Sequence, residues 1–336
     1  MLNEPDGASI SSLSDGYVER QKMRELSRQV NTAYRSEARS ELLREEIREA
    51  ITRLPEITIE GKSPWWPAQH DRSLVLALGD FHYGAEIDVK GLRGETINRY
   101  DHTVFEMRME DLLAQTLNIL QRENIADVHV FLVGDLIDGM LRQSQLMRLE
   151  YGMIESTMRL SEYLAQWLAK LSEYVDVSVY ACTGNHSEVR PLKSKNREFE
   201  DENLEKIILW YLEERLRKND GVVFYGDQQK MVLADIEGFS FLLLHGDGEK
   251  AIDQIAKDAI NMYAEPINFF ICGHKHKEQE FPMGMTDDGN SVVIRVPSIC
   301  GVDRYAQSKG YGGKPGAIAM VIENGYGRRC VYPINL

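Results

Sequence analysis

Five apolar runs in this chain end in the same way, with a carboxylate, an amide or an imidazole placed immediately after the last apolar residue or one glycine beyond it. Residues 128–133, Val-His-Val-Phe-Leu-Val, run into Gly134-Asp135-Leu136-Ile137-Asp138-Gly139. Such a nearly continuous apolar run reads as a strand buried on both faces, the usual condition of a parallel sheet. Residues 74–78 lead into Gly79-Asp80-Phe81-His82, and 177–182 lead through Thr183 into Gly184-Asn185-His186. Residues 241–244 lead into His245-Gly246-Asp247, and 268–272 into Gly273-His274-Lys275-His276. In open α/β sheets, ligands bind outside the carboxyl ends of the strands. The chain is therefore expected to bring Asp80, His82, Asp135, Asn185, His245, His274 and His276 to one edge, with Asp135 at the centre.

That set has the chemistry of a two-metal site. Mixed carboxylate and imidazole ligands, with an amide oxygen, suit divalent cations such as Mn²⁺. A carboxylate has two oxygens and can bridge two ions, and His-x-His can split its imidazoles between them. Glycine before Asp80, Asp135, Asn185 and His274 is expected to let the backbone turn sharply at each strand end. Five of the 8 histidines, His82, His186, His245, His274 and His276, fall inside the blocks; His70, His102 and His129 read as surface or packing residues.

Composition narrows the alternatives. A formal net charge of −14 argues against a broadly basic nucleic-acid surface, while leaving room for a local basic groove. No apolar run approaches the roughly 18 residues of a membrane helix, and the N-terminus lacks a signal-peptide core, so a cytoplasmic protein without membrane attachment is expected. The 4 cysteines are far apart and form no Cys-x-x-Cys, which suits reduced core thiols.

Residues 1–70 read as an arm, a helical extension over about 17–54 and a linker with Trp65 and Trp66. The helical part packs on the following domain or serves a homo-oligomer or partner contact. Residues 71–336 alternate strand and helix, the mark of a layered α/β fold. Helices are expected over about 103–122, 143–171, 199–217 and 249–263. A hairpin is expected where 231–236 and 239–244 flank Glu237-Gly238, and late strands over 291–296, 317–323 and 329–332.

Asp80-x-His82, Gly134-Asp135-x-x-Asp138, Gly184-Asn185-His186, His245 and Gly273-His274-x-His276 resemble, in order, the five blocks of the calcineurin-like metallophosphoesterases. The resemblance implies a four-layer αββα sandwich with a dinuclear centre. One ion would take Asp80, His82, Asp135 and His276; the other would take Asp135, Asn185, His245 and His274. His186 would be the proton donor, with Asp138 holding its ring. Mn²⁺ is the expected ion, with Fe, Zn, Ni or Mg as alternatives. Two departures matter: Gly139 stands where protein phosphatases carry an arginine, and Ser187 stands where many relatives have an acidic residue. The compact length and the ending Val331-Tyr332-Pro333-Ile334 are most similar to phosphoesterases of phages and prophages, loosely grouped with DNA-repair exonucleases.

The expected function is hydrolysis of phosphodiester bonds by a metal-bound hydroxide, with DNA or RNA as substrate. Arg190, Lys193, Lys195 and Arg197 follow His186 directly and are the candidate substrate-binding cations. Alternatives are a phosphomonoesterase or small-nucleotide phosphodiesterase, and a catalytically silent interaction module on the same fold.

Overall fold

Alternate side chains of β1 (Arg72–Leu78) enter two different hydrophobic layers, and this division organises the fold. Leu74, Leu76 and Leu78 join one buried cluster, while Val75 and Ala77 join another. The same alternation recurs in β4 (Asp127–Val133), where Val130 and Leu132 face one layer and Phe131 and Val133 the other. A strand apolar on both faces can exist only between two packed layers.

The computed structural model describes residues 41–42, 44–57, 64, 66–68, 71–139, 148–189, 202–226, 230–247, 252–263, 266–286, 289–310 and 312–336. The chain divides into two compact units, Met1–Glu56 and Ile57–Leu336. In the first, residues 44–52 are helical, with Arg48 on Glu45 at 3.2 Å and Arg53 on Glu49 at 3.0 Å. The rest of the helix expected over 17–54 lies almost wholly outside the described residues.

The second unit holds two main sheets. Besides β1 and β4, the first contains β5 (Asp176–Cys182), β6 (Val222–Tyr225), β12 (Gly316–Glu323) and β13 (Gly327–Asn335), in the order β13-β12-β1-β4-β5-β6. β1, β4, β5 and β6 run parallel; β12 and β13 are antiparallel additions. The second sheet has the order β10-β11-β9-β8-β7, built from β7 (Met231–Ile236), β8 (Phe239–Leu244), β9 (Phe269–Cys272), β10 (Gln279–Thr286) and β11 (Gly289–Arg295). Val75, Phe131, Val133, Phe241, Ile271, Ile294 and Met320 fill the space between the sheets.

Helices close the outer faces. Those of α1 (His102–Glu123), α2 (Met153–Ser172) and α3 (Glu205–Arg215) place Phe105, Met109, Leu160, Leu164, Ile208 and Leu212 in the cluster with Leu74 and Leu76. On the far side, α4 (Ile252–Tyr263) packs Ala256 and Ala259 against Leu242, Leu244 and Phe270. The result is the four-layer αββα sandwich expected. Among the described residues no helix is long and apolar enough to cross a membrane. All four cysteines are free, and Cys182, Cys272 and Cys300 are buried.

Several elements differ from the sequence reading. Of the helix expected over 143–171, residues 143–147 lie outside the described residues; after them the helix starts at Met153, because the chain just before it pairs with the loop after β1. Glu86 N–H donates to Arg148 O at 3.0 Å, and Glu150 N–H to Gly84 O at 2.8 Å, which removes those residues from helical hydrogen bonding. Of the helix expected over 199–217, residues 199–201 lie outside the described residues, and after them the helix starts at Glu205. A hairpin of β2 (Ile87–Lys90) and β3 (Thr96–Tyr100), and a short α5 (Arg304–Lys309), occupy stretches read as loop. The hairpin expected at Glu237-Gly238 is present, pairing Met231 with Leu244 through Ile236 with Phe239.

Candidate metal centre at the carboxyl edges of two sheets

Asp80 follows β1, Asp135 follows β4, Asn185 and His186 follow β5, His245 follows β8, and His274 and His276 follow β9. Their chain segments are bound to one another. Asp80 N–H donates to Gly134 O at 3.0 Å, His82 N–H to Asp135 O at 3.0 Å, and Gly273 N–H to His245 O at 3.1 Å.

The backbone itself is bent to aim these groups. Asp80, His82, Asp135, His274 and His276 all have positive φ, between 46° and 72°. A left-handed conformation at a non-glycine residue costs of order 1–3 kcal/mol and persists only where the surroundings impose it. Only Asn124 and Glu237 share it elsewhere among the described non-glycine residues.

The glycines before the ligands have another reason than the one read from sequence. Gly134 has φ 81° and does supply a turn. Gly184 and Gly273 instead mark close approach. A Cβ on Gly184 would lie 2.1 Å from Asp135 N, and one on Gly273 would lie 2.7 Å from Asp80 Oδ2. Gly139 is the extreme case, since a Cβ there would lie 1.6 Å from His186 O. No side chain of any kind fits at that position.

Each carboxylate has one oxygen tied and one left facing the site. Asp80 Oδ2 accepts the N–H of His274 at 2.8 Å, while Asp80 Oδ1 is buried with no hydrogen-bond partner. Asp135 Oδ1 accepts the N–H of His186 at 2.7 Å, while its Oδ2 lies 2.8 Å from His245 Nε2 and 4.0 Å from His82 Nε2. Asn185 Oδ1 is likewise buried and unpartnered. Buried orphaned oxygens are rare, and each calls for a missing ion or water.

The imidazoles are turned the same way. His245 Nδ1–H donates to Val133 O at 2.8 Å, and His276 Nδ1–H to Gly301 O at 3.0 Å, so each turns Nε2 to the site. Ring nitrogens then face ring nitrogens: His82 Nε2 stands 3.1 Å from His276 Nε2, and His274 Nδ1 stands 3.3 Å from His245 Nε2. Asp80 Oδ1 is 3.7 Å from His276 Nε2 and 3.9 Å from His82 Nε2. Ligands about 2.1 Å from one ion stand about 3–4 Å apart, so these spacings suit a shared cation. Among the described residues four groups of three form on this test. Asp80, His82 and Asp135 make one, and Asp135, His245 and His274 make another; His82 with Asp138 and His186, and His82 with His276 and Cys300, make the other two. Asp135 belongs to both of the first pair.

The electrostatics agree that positive charge belongs here. Burial disfavours a charged His245, yet the Asp135 charge and hydrogen bond outweigh it and push its pKa well up. Burial likewise opposes charge on His82, but the hydrogen bond to Asp138 and the charges of Asp135 and Asp80 raise it to about 9. Burial and the neighbouring His245 lower His274 to about 4. Burial raises the pKa of Asp135, but His245 and His186 more than reverse this and hold it well below the usual carboxylate range. Residues of this set, with their orphaned oxygens, fit a pair of divalent ions.

His186 is in neither of the groups that share Asp135, and its ring lies instead with His82 and Asp138. Its Nδ1 is 2.7 Å from Asp138 Oδ1, and its ring meets that of His82 edge-on with centroids 4.3 Å apart.

The structure thus brings together Asp80, His82, Asp135, Asp138, Asn185, His186, His245, His274 and His276. Arg190, Lys193, Lys195 and Arg197 lie outside the described residues. Sequence reasoning missed Glu205, which is fully buried behind the site. Burial and the nearby Asp135 raise its pKa, and its carboxylate binds loops on both sides. Nothing in the local sequence marks it, since it reads as an ordinary helix residue.

A family model described as calcineurin-like phosphoesterase matches residues 73–278. The SPbeta prophage-derived uncharacterized protein YonJ of Bacillus subtilis (strain 168) is 28% identical over 316 residues, covering 94% of this chain and 76% of that protein. A metallophosphoesterase from Sphaerobacter thermophilus aligns in structure at 13% identity with a TM-score of 0.37, over 79% of this chain and 88% of that one. Vps29 from Entamoeba histolytica, complexed with Zn²⁺, aligns at 12% identity with a TM-score of 0.34, over 78% of this chain and 98% of that one.

Proposed function

This chain belongs to the calcineurin-like phosphoesterases, and from that premise we propose that it is a two-metal phosphodiesterase acting on DNA or RNA. The observation that carries the reading is the position of Asp135, whose carboxylate belongs to both ligand groups. Asp80, His82, Asp135 and His276 would hold one ion. Asp135, Asn185, His245 and His274 would hold the other. Mn²⁺ is the ion we assign to both. When bound, such ions neutralise the charge of a phosphoester and lower the pKa of water to about 7, supplying hydroxide at neutral pH.

The protein's own groups do the rest. Asp138 accepts a hydrogen bond from Nδ1–H of His186 and fixes the ring. Nε2 is then the atom that passes a proton to the departing oxygen. That service counts most when the leaving group is a poor one, as a sugar hydroxyl is. The absence of room for any side chain at Gly139 keeps an arginine of the protein-phosphatase kind out of the site, which speaks against a phosphoprotein substrate. The cations Arg190, Lys193, Lys195 and Arg197 follow His186 in sequence and would meet phosphates flanking the scissile one.

A net charge of −14 favours a second reading, a phosphatase or phosphodiesterase of small nucleotides. The full set of ligand types counts against a catalytically silent module. We assign catalysis to residues 71–336 and a packing or partner role to residues 1–70.

The test is hydrolysis with Mn²⁺ of bis-p-nitrophenyl phosphate, p-nitrophenyl phosphate, and labelled single- and double-stranded DNA and RNA. Neutralising Lys193, Lys195 and Arg197 together should weaken action on polynucleotides, more so at low salt, and leave the small diester almost unaffected. No loss on either would favour the small-substrate reading, and no hydrolysis of any of them would favour the silent module.

A further inference from the structure

Glu205 has no exposed surface, and among the described residues its carboxylate meets hydrogen-bond donors and makes no ion pair. Such a group is costly to keep unless hydrogen bonds satisfy it. Its donors all come from the two loops that carry the centre of the site. Oε1 accepts the N–H of Leu136 at 2.7 Å and the hydroxyl of Ser187 at 2.6 Å. Oε2 accepts the N–H of Gly184 at 2.8 Å. Leu136 follows Asp135; Gly184 and Ser187 bracket Asn185 and His186. One carboxylate therefore ties the loop after β4 to the loop after β5.

The clamp is itself held in place. Glu205 N–H donates to Asn203 Oδ1 at 2.9 Å, and Asn203 Nδ2 donates to Gly184 O at 2.8 Å. Close approach of the same two loops leaves no room for a Cβ on Gly184. The Asp135 and Asn185 loops are thus pressed together from the site side and stapled from behind.

We propose that Glu205 is a positioning residue of the metal centre, setting the spacing between Asp135 and the Asn185-His186 pair. This rests on the two-metal reading above. Ligand-supporting groups of this kind typically affect metal affinity or activity by about 10–100-fold when removed.

The decisive variant is Glu205→Gln in the full chain, which keeps the shape but turns one acceptor into a donor facing a loop N–H. It should lower kcat on bis-p-nitrophenyl phosphate by about 10–100-fold with KM little changed. It should also lose divalent ions sooner in chelator competition and exchange the amide hydrogens of Leu136 and Gly184 faster. Combining Glu205→Ala with Ser187→Glu returns a carboxylate to the same space from the loop and should recover most of the loss. Should Glu205→Gln not fold, Glu205→Asp, which keeps the charge one methylene back, is expected to show the same split in kcat and metal retention. Unchanged kcat and metal retention in the folded variant would overturn the positioning role alone. A wild-type protein that binds no pair of ions would overturn the two-metal reading instead.

Discussion

The Asp138 carboxylate lies 2.7 Å from Nδ1 of His186, on the side of the ring away from Nε2. Burial alone would raise the pKa of Asp138, but the hydrogen bonds from His186 and His82 hold it well below the usual carboxylate range. An ionised Asp138 fixes the tautomer of His186 and leaves Nε2 to carry the transferable proton. His186→Gln should therefore keep both metal ions and lose about 10²–10⁴-fold in rate on diesters with poor leaving groups. Asp138→Asn should give a milder form of the same defect. Metal analysis beside a leaving-group series checks this, and a fall in metal content for His186→Gln would make it a ligand.

Asp135→Asn removes charge from the one carboxylate shared by both ligand groups. Both sites should weaken together, so the bound metal per protein falls towards zero after dialysis. Elemental analysis showing one site still filled would remove Asp135 from the bridging position.

Gly184→Ala and Gly238→Ala separate two uses of glycine. A Cβ at Gly184 meets the backbone N of Asp135 at 2.1 Å, whereas one at Gly238 meets nothing within 4 Å. Gly238 has φ 79°, so alanine there pays only a left-handed backbone, about 1–2 kcal/mol. Overpacking at Gly184 should cost about 1–3 kcal/mol and also displace the site. Unfolding curves should show loss for both, and turnover should fall only for Gly184→Ala. Wild-type turnover in Gly184→Ala would show that the loops can part without consequence.

Metal uptake should release protons. In the metal-free protein the neighbouring carboxylates hold His82 at about 9, so its ring is doubly protonated at pH 7, and they push His245 in the same direction. Ligation needs their lone pairs, so binding should free protons, that of His82 among them, and affinity should fall as pH drops from 8 to 6. Calorimetry in buffers of different ionisation enthalpy reads the number directly. Heats independent of the buffer would contradict the ligand roles of both histidines.

Much of the site was legible in the sequence because strands buried on both faces appear as apolar runs, and each run here ends in a residue that can bind metal. The order of the five blocks and the central place of Asp135 follow from that alone. The layering was implied by the family resemblance and not by the strands themselves, because a strand apolar on both sides carries no mark of which side meets helices and which meets the second sheet. The start of α2 was misread because Arg148 and Glu150 pair with the loop after β1, a tertiary contact that overrides helical pattern.

What the sequence alone determined is the set of chemical groups and the strand ends that carry them. Tertiary structure decided their aim. Five ligand-type residues are held at positive φ, Gly184 and Gly273 mark close approach rather than turns, and Glu205 staples two loops from 69 residues away from Leu136. A hydrogen bond across that separation exists only once β4, β5 and α3 have packed, because only then are its donors and acceptor buried together and deprived of water.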